Sequence, residues 1–270
     1  MFKDWNIVFV PYWTGDVHTR NRILDPYESS VAELFGEPQC LGLNYTMYPN
    51  GYNNSMAVLD WALKNYPEVD NLIVGGESAG SLGAQLHSAH IAKLWDVSTK
   101  GTRFSVIADS YVGAVPANHT GSESLHFTGV CDVDLAEPQG NSLFINSKGD
   151  LTQRYFYALL EEGIKGYPFT DLLSEEDFYA DMSTILDAYQ TVSSRITTFY
   201  VEGTKHVFLA DANFTSYESD EGLLLGDVIN AWLVTNSNLD SNSSFKINYP
   251  STCYPFRFCN HGYRVRIDYN

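Results

Sequence analysis

Positive charge is scarce in this chain: 16 Lys and Arg stand against 33 Asp and Glu, a formal net charge of −17. Nucleic-acid phosphates are held by clusters of Lys and Arg, so this balance argues against such partners, and equally against anionic membrane surfaces. The acidic residues are spread along the chain without a block of like charge, which reads as a solvated surface. Long apolar runs are also lacking; none approaches the roughly 20 residues of a membrane-spanning helix. Cysteine is sparse, with only Cys40, Cys131, Cys253 and Cys259. No two stand at CxxC spacing and only His261 lies near the last pair, so neither a zinc site nor any other metal or cofactor is expected. Four cysteines allow three disulfide connectivities, and spacing does not choose among them. No repeat of 20 to 50 residues occurs, which removes solenoids and propellers. No leader-like segment opens the sequence, because Met1 to Asn6 runs straight into Ile7-Val8-Phe9-Val10.

What is present is the composition of a folded domain. Apolar residues make up 44% and aromatics 14% of 270 residues, enough for one large core. Short β-branched runs alternate with helical patterns. Strands are expected at Asn6–Tyr12, Asn71–Gly75, Phe104–Asp109, Ser142–Ser147 and Ile196–Glu202. Each is nearly continuous in apolar residues, as in strands covered on both faces. Helices are expected at Ser55–Tyr66, Ser81–Trp95, Leu151–Glu162, Glu175–Tyr189 and Gly222–Val234; Met56, Leu59, Ala62 and Leu63 show the three-and-four spacing. This alternation predicts an α/β fold with a mostly parallel sheet and helices on both faces. A core over 1–235 with a C-terminal tail, 236–270, packed on it is the expected organisation.

Functional groups in such sheets gather at the carboxyl ends of the strands. Four strands deliver, in order, Ser78, Asp109, Asp150 and His206 to that edge. Ser78 sits in Gly76-Glu77-Ser78-Ala79-Gly80, between a strand and a helix. That GxSxG context puts a serine on a sharp turn and aims the Ala79 N–H at a developing oxyanion. A simpler role for Ser78 is capping the following helix. Of seven histidines only His206 directly follows a late strand, in the order nucleophile, acid, histidine along the chain. His87 and His90 lie on the helix after Ser78 and read as packing or surface. Two aspartates compete as the acid that orients the histidine. Asp150 on the penultimate strand is favoured; Asp109 is the alternative, or else a turn or capping residue.

Phe9-Val10-Pro11-Tyr12-Trp13-Thr14-Gly15-Asp16-Val17-His18, Gly76 to Ser81, the Asp109 segment, Phe144-Ile145-Asn146-Ser147 with Asp150, and His206 are together similar to the pectin acetylesterase family, which includes the Notum carboxylesterases. The matches span about residues 5–210. The resemblance implies an α/β-hydrolase that removes acyl groups from oxygen, with Ser78, Asp150 and His206 as its triad. Two departures accompany it. Trp13 stands where the family usually has cysteine, and Ser88 follows His87 where a second cysteine is common. The family's Gly-Gly-Gly-Trp segment, whose backbone helps form the oxyanion hole, precedes the first strand and is not in this sequence. Gly15 and its neighbours are candidates to substitute for it, or else the natural protein is longer.

The function expected is therefore a serine esterase that removes O-linked acyl groups, foremost acetyl, from a glycan. The alternatives are a hydrolase-like protein that binds without turnover, a Notum-like lipid-ester deacylase, and acyl transfer to an alcohol. Gly15, Asp16, His18, Trp13 and Tyr111 are candidates for contacting substrate. Sequons at Asn44, Asn53, Asn118, Asn213 and Asn242, with an even cysteine count, point to a secreted glycoprotein monomer.

Overall fold

A computed structural model of the chain describes residues 2–12, 18, 21, 23–28, 44–116, 140–162, 168–235 and 264–268. Its centre is a six-stranded sheet in the order β1-β8-β4-β5-β6-β7. The strands are β1 (Asn6–Phe9), β4 (Asn71–Glu77), β5 (Arg103–Asp109), β6 (Gly140–Ser147), β7 (Ile196–Val201) and β8 (Arg264–Asp268). From β4 to β7 every pair is parallel. β8 is antiparallel to both of its neighbours, β1 and β4. A separate antiparallel pair joins β2 (Leu24–Glu28) to β3 (Asn44–Met47).

The sheet alternates its side chains between two apolar layers, as the period of two requires. On one face Leu72, Val74, Phe104 and Val106 pack with Leu59 and Ala62 of α1 (Gly51–Asn65) and with Ala84 and Ile91 of α2 (Ala79–Leu94). Farther along, Ala108 and Phe144 pack with Phe178, Met182 and Leu186 of α5 (Glu175–Val192). On the other face Ile73, Ile107, Leu143, Ile145 and Phe199 meet Leu225, Ile229 and Trp232 of α6 (Leu225–Thr235). A short α3 (Val97–Lys100) follows α2, and α4 (Leu151–Glu162) follows β6. The protein is thus an α/β structure with a parallel four-strand core. Among the described residues no helix is long and apolar enough to cross a membrane.

Five expected strands and five expected helices are found, most within a few residues of their expected bounds. One expectation needs correction. β1 is not covered on both faces: Ile7 and Phe9 are 52% and 57% exposed while Val8 packs on the α1–α2 layer. β1 stands at one end of the strand order, with β8 beside it. The tail also does more than lie on the core, since its described residues are the strand β8 inside the sheet. There Val265 pairs with Val8 and Val74, and Ile267 with Leu72.

Candidate active site

β4 runs into α2 through a single sharp turn at Ser78. Its backbone is at φ 55°, ψ −120°, a left-handed region that L-residues enter at a cost, and its side chain makes no capping hydrogen bond. A serine chosen to cap a helix takes an extended backbone and bonds the second or third N–H of the helix. Ser78 does neither, so capping does not explain it. Gly76 is required by the same turn, because a Cβ there would lie 2.0 Å from the Gly80 carbonyl oxygen. Ser78 and Ala79 are half-buried, and the Ala79 N–H stands in the first turn of α2, where no intrahelical acceptor exists.

Asp150 and His206 are brought together. His206 Nδ1 lies 2.8 Å and 3.0 Å from the two carboxylate oxygens of Asp150, which selects the tautomer with the proton on Nδ1. Asp150 is fully buried at the start of α4. Its Oδ1 accepts from the Gln153 backbone N–H at 3.0 Å and its Oδ2 from Gln153 Nε2 at 2.9 Å. Gln153 in turn reaches Asn146 Oδ1 at 3.3 Å and accepts from the Val112 N–H at 3.3 Å. The loops that carry the pair run side by side. Lys148 N–H donates to the Val201 carbonyl, Gly149 N–H to Gly203, Leu151 N–H to Thr204, and Ser147 Oγ to the Lys205 carbonyl. The acid and the histidine are therefore fixed to each other by backbone as well as by side chain.

Asp109 takes a different place from Asp150. It is buried at the end of β5, and its carboxylate does not contact His206; its Oδ2 accepts from the Phe208 and Leu209 N–H groups at 2.8 and 2.7 Å. Ser110 Oγ donates to Asp109 Oδ1 at 2.8 Å and accepts from the Val207 N–H at 2.9 Å. Burial pushes the Asp109 carboxyl up to about 6, against the pull of those donors. Ser110 and Val207 both have left-handed φ, 61° and 59°. For β-branched Val207 this costs on the order of 1–3 kcal/mol and persists because three successive N–H groups are held.

The third link, between His206 and Ser78, is not closed by a hydrogen bond. His206 Nε2 is buried and has no partner. Catalytic hydrogen bonds in ligand-free sites are often long and tighten only with substrate bound. No family model and no curated protein matches this chain. The site therefore stands on its geometry.

The remaining candidates divide. His18 is buried at φ 59° and stacks on Tyr12 with ring centroids 4.4 Å apart. Tyr111 follows Ser110; its carbonyl accepts from Ser81 Oγ and Gln85 Nε2, and burial pushes its phenol up to about 12. Trp13, Gly15 and Asp16 lie outside the described residues, as do the four cysteines, Asn118 and Asn242. Asn53 and Asn213 are exposed, and Asn44 begins β3. Among the described residues no group of three or more His, Cys, Asp or Glu is placed to hold a metal ion. Gln153 and Ser110 were not singled out from sequence. Asp150-x-x-Gln153 has the spacing of a helix-capping box, a signal that identifies Gln153 as a neighbour of Asp150.

His87 is buried on α2 while His90 is exposed. Burial foremost, with His90 and His18 nearby, lowers the His87 pKa from 6.5 to about 3. The unfolded chain thus takes up this proton first, and stability present above pH 6.5 is lost as pH falls toward 3. Between pH 7 and pH 5 His87 is expected to account for about 2 kcal/mol of lost stability. Urea unfolding of wild type and His87→Gln at the two pH values measures it; parallel losses would contradict it.

Proposed function

We propose that the chain is a serine carboxylic-ester hydrolase of α/β-hydrolase type. In this reading Ser78 is the nucleophile, His206 the general base, Asp150 its orienting acid, and the Ala79 N–H an oxyanion donor. The observation that carries it is the Asp150–His206 pair, 2.8 Å apart, on the same sheet edge as a strained serine whose hydroxyl caps nothing. The Asp150 carboxylate keeps the proton on Nδ1, so Nε2 presents its lone pair. Ser78 Oγ attacks the acyl carbon as its proton passes to Nε2. The tetrahedral oxyanion meets the Ala79 N–H at the positive end of α2. Collapse expels the alcohol, which takes the proton from Nε2, and leaves an acyl-serine. Water, deprotonated by the same Nε2, then releases the acid and restores Ser78.

The similarity of the strand-end segments to pectin acetylesterases supports an O-acylated glycan as substrate, with acetyl as the acyl group. A burst of about one p-nitrophenol per protein molecule from p-nitrophenyl acetate, followed by slower turnover, is the expected signature of the acyl-serine. A second reading, a hydrolase-like protein that binds without turnover, is favoured by the open Ser78–His206 link. It predicts folded protein that gives neither burst nor steady release.

A further inference from the structure

Asp109 is bonded to both halves of the site at once. Its carbonyl oxygen accepts the Ser78 N–H at 2.8 Å, and its carboxylate accepts the Phe208 and Leu209 N–H groups. Ser110 adds the Val207 N–H, and its own N–H donates to the Ile145 carbonyl at 2.7 Å on β6. The strained turn before α2 and the strained turn after His206 therefore meet on two adjacent residues at the end of β5. Each partner lies far away in the chain, Val207 being 97 positions beyond Ser110. Val207, with its left-handed φ, follows His206 directly.

We infer that Asp109 and Ser110 are positioning residues that set the distance and angle between the Ser78 hydroxyl and the His206 ring by clasping the 207–209 backbone. This rests on reading Ser78 and His206 as nucleophile and base. Neither residue touches the reacting atoms, and Asp109 is not a second acid for the histidine. What the clasp requires is an acceptor at the Oδ2 position. Asparagine can supply it: its carbonyl oxygen takes the two N–H groups, and its amide nitrogen donates to Ser110 Oγ, which still accepts from Val207. Alanine supplies nothing and leaves the backbone donors of the turn unpaired.

The test compares Asp109→Ala, Asp109→Asn and Ser110→Ala. For p-nitrophenyl acetate, Asp109→Ala is expected to lower kcat about 10–100-fold with KM nearly unchanged, because a base displaced by an ångström still binds substrate. Asp109→Asn is expected to restore most of that loss, and Ser110→Ala to fall between. Two readouts do not depend on turnover. The exchange protection of the 207, 208 and 209 amides should drop in Asp109→Ala and return in Asp109→Asn. The downfield proton resonance of His206 Nδ1–H should broaden or vanish in Asp109→Ala, broaden less in Ser110→Ala, and persist in Asp109→Asn. Should Asp109→Ala not fold, Ser110→Ala decides, through the Val207 amide and the same proton resonance. A folded variant with unchanged amide protection and unchanged kcat would overturn the inference. If wild type lacks esterase activity the proposed function falls, while amide exchange and the proton resonance still decide whether the clasp holds the turn.

Discussion

Replacing Ser78 with alanine is expected to lower kcat for p-nitrophenyl acetate by on the order of 10⁴–10⁶ and to leave the fold intact. The size follows from the role, since without Oγ no acyl-enzyme forms and only background assistance by the oxyanion donor remains. The stability follows from the geometry. Ser78 Oγ makes no capping bond, so its removal costs the helix nothing. Alanine meets the same left-handed backbone that serine does, so the strain at φ 55° is not increased much. Capping would predict the reverse, a loss of about 1 kcal/mol in stability with little change in rate. Urea unfolding and turnover, measured on one preparation, separate the two roles.

Asp150→Asn is expected to lower kcat by on the order of 10⁴. An amide that presents its NH₂ to His206 favours the tautomer with the proton on Nε2, which can no longer accept from Ser78. The cap of α4 survives, because the asparagine oxygen can still accept the Gln153 N–H. Stability should therefore fall far less than activity. The contrast with Asp109 is diagnostic. The same Asp-to-Asn change is expected to be severe at 150, where the carboxylate faces a ring nitrogen, and mild at 109, where it faces backbone N–H groups. Equal losses at the two positions would contradict the assignment of the acid.

The central parallel strands could be read in the sequence because they are buried on both faces and so are written as nearly continuous apolar runs, such as Phe104 to Ala108, where only Ser105 is polar. The two-strand sheet could not. Pro26 interrupts β2 and has no N–H to donate, and the register shifts between Leu24 and Tyr27. β8 alternates Arg264, Val265, Arg266, Ile267 and Asp268, a pattern of charge and apolar residues within a tail that offered no apolar run. Its partners β4 and β1 are nearly 200 and more than 250 residues away in the chain. Ser78, Asp150 and His206 were legible because each lies just beyond a strand, and strand ends share an edge. The role of Asp109 was not. Whether an aspartate at a strand end orients a histidine or anchors a turn depends on contacts about 100 residues away, which spacing does not encode.

Ser78 is proposed to be a nucleophile driven by the Asp150–His206 pair. Incubation with a fluorophosphonate followed by peptide mapping tests it most directly. One adduct per molecule is expected on the peptide that carries Ser78, formed rapidly in wild type and at least about 10³-fold more slowly in His206→Ala. Folded wild-type protein that stays unlabelled, or labelling at Ser78 that is indifferent to His206, would contradict it.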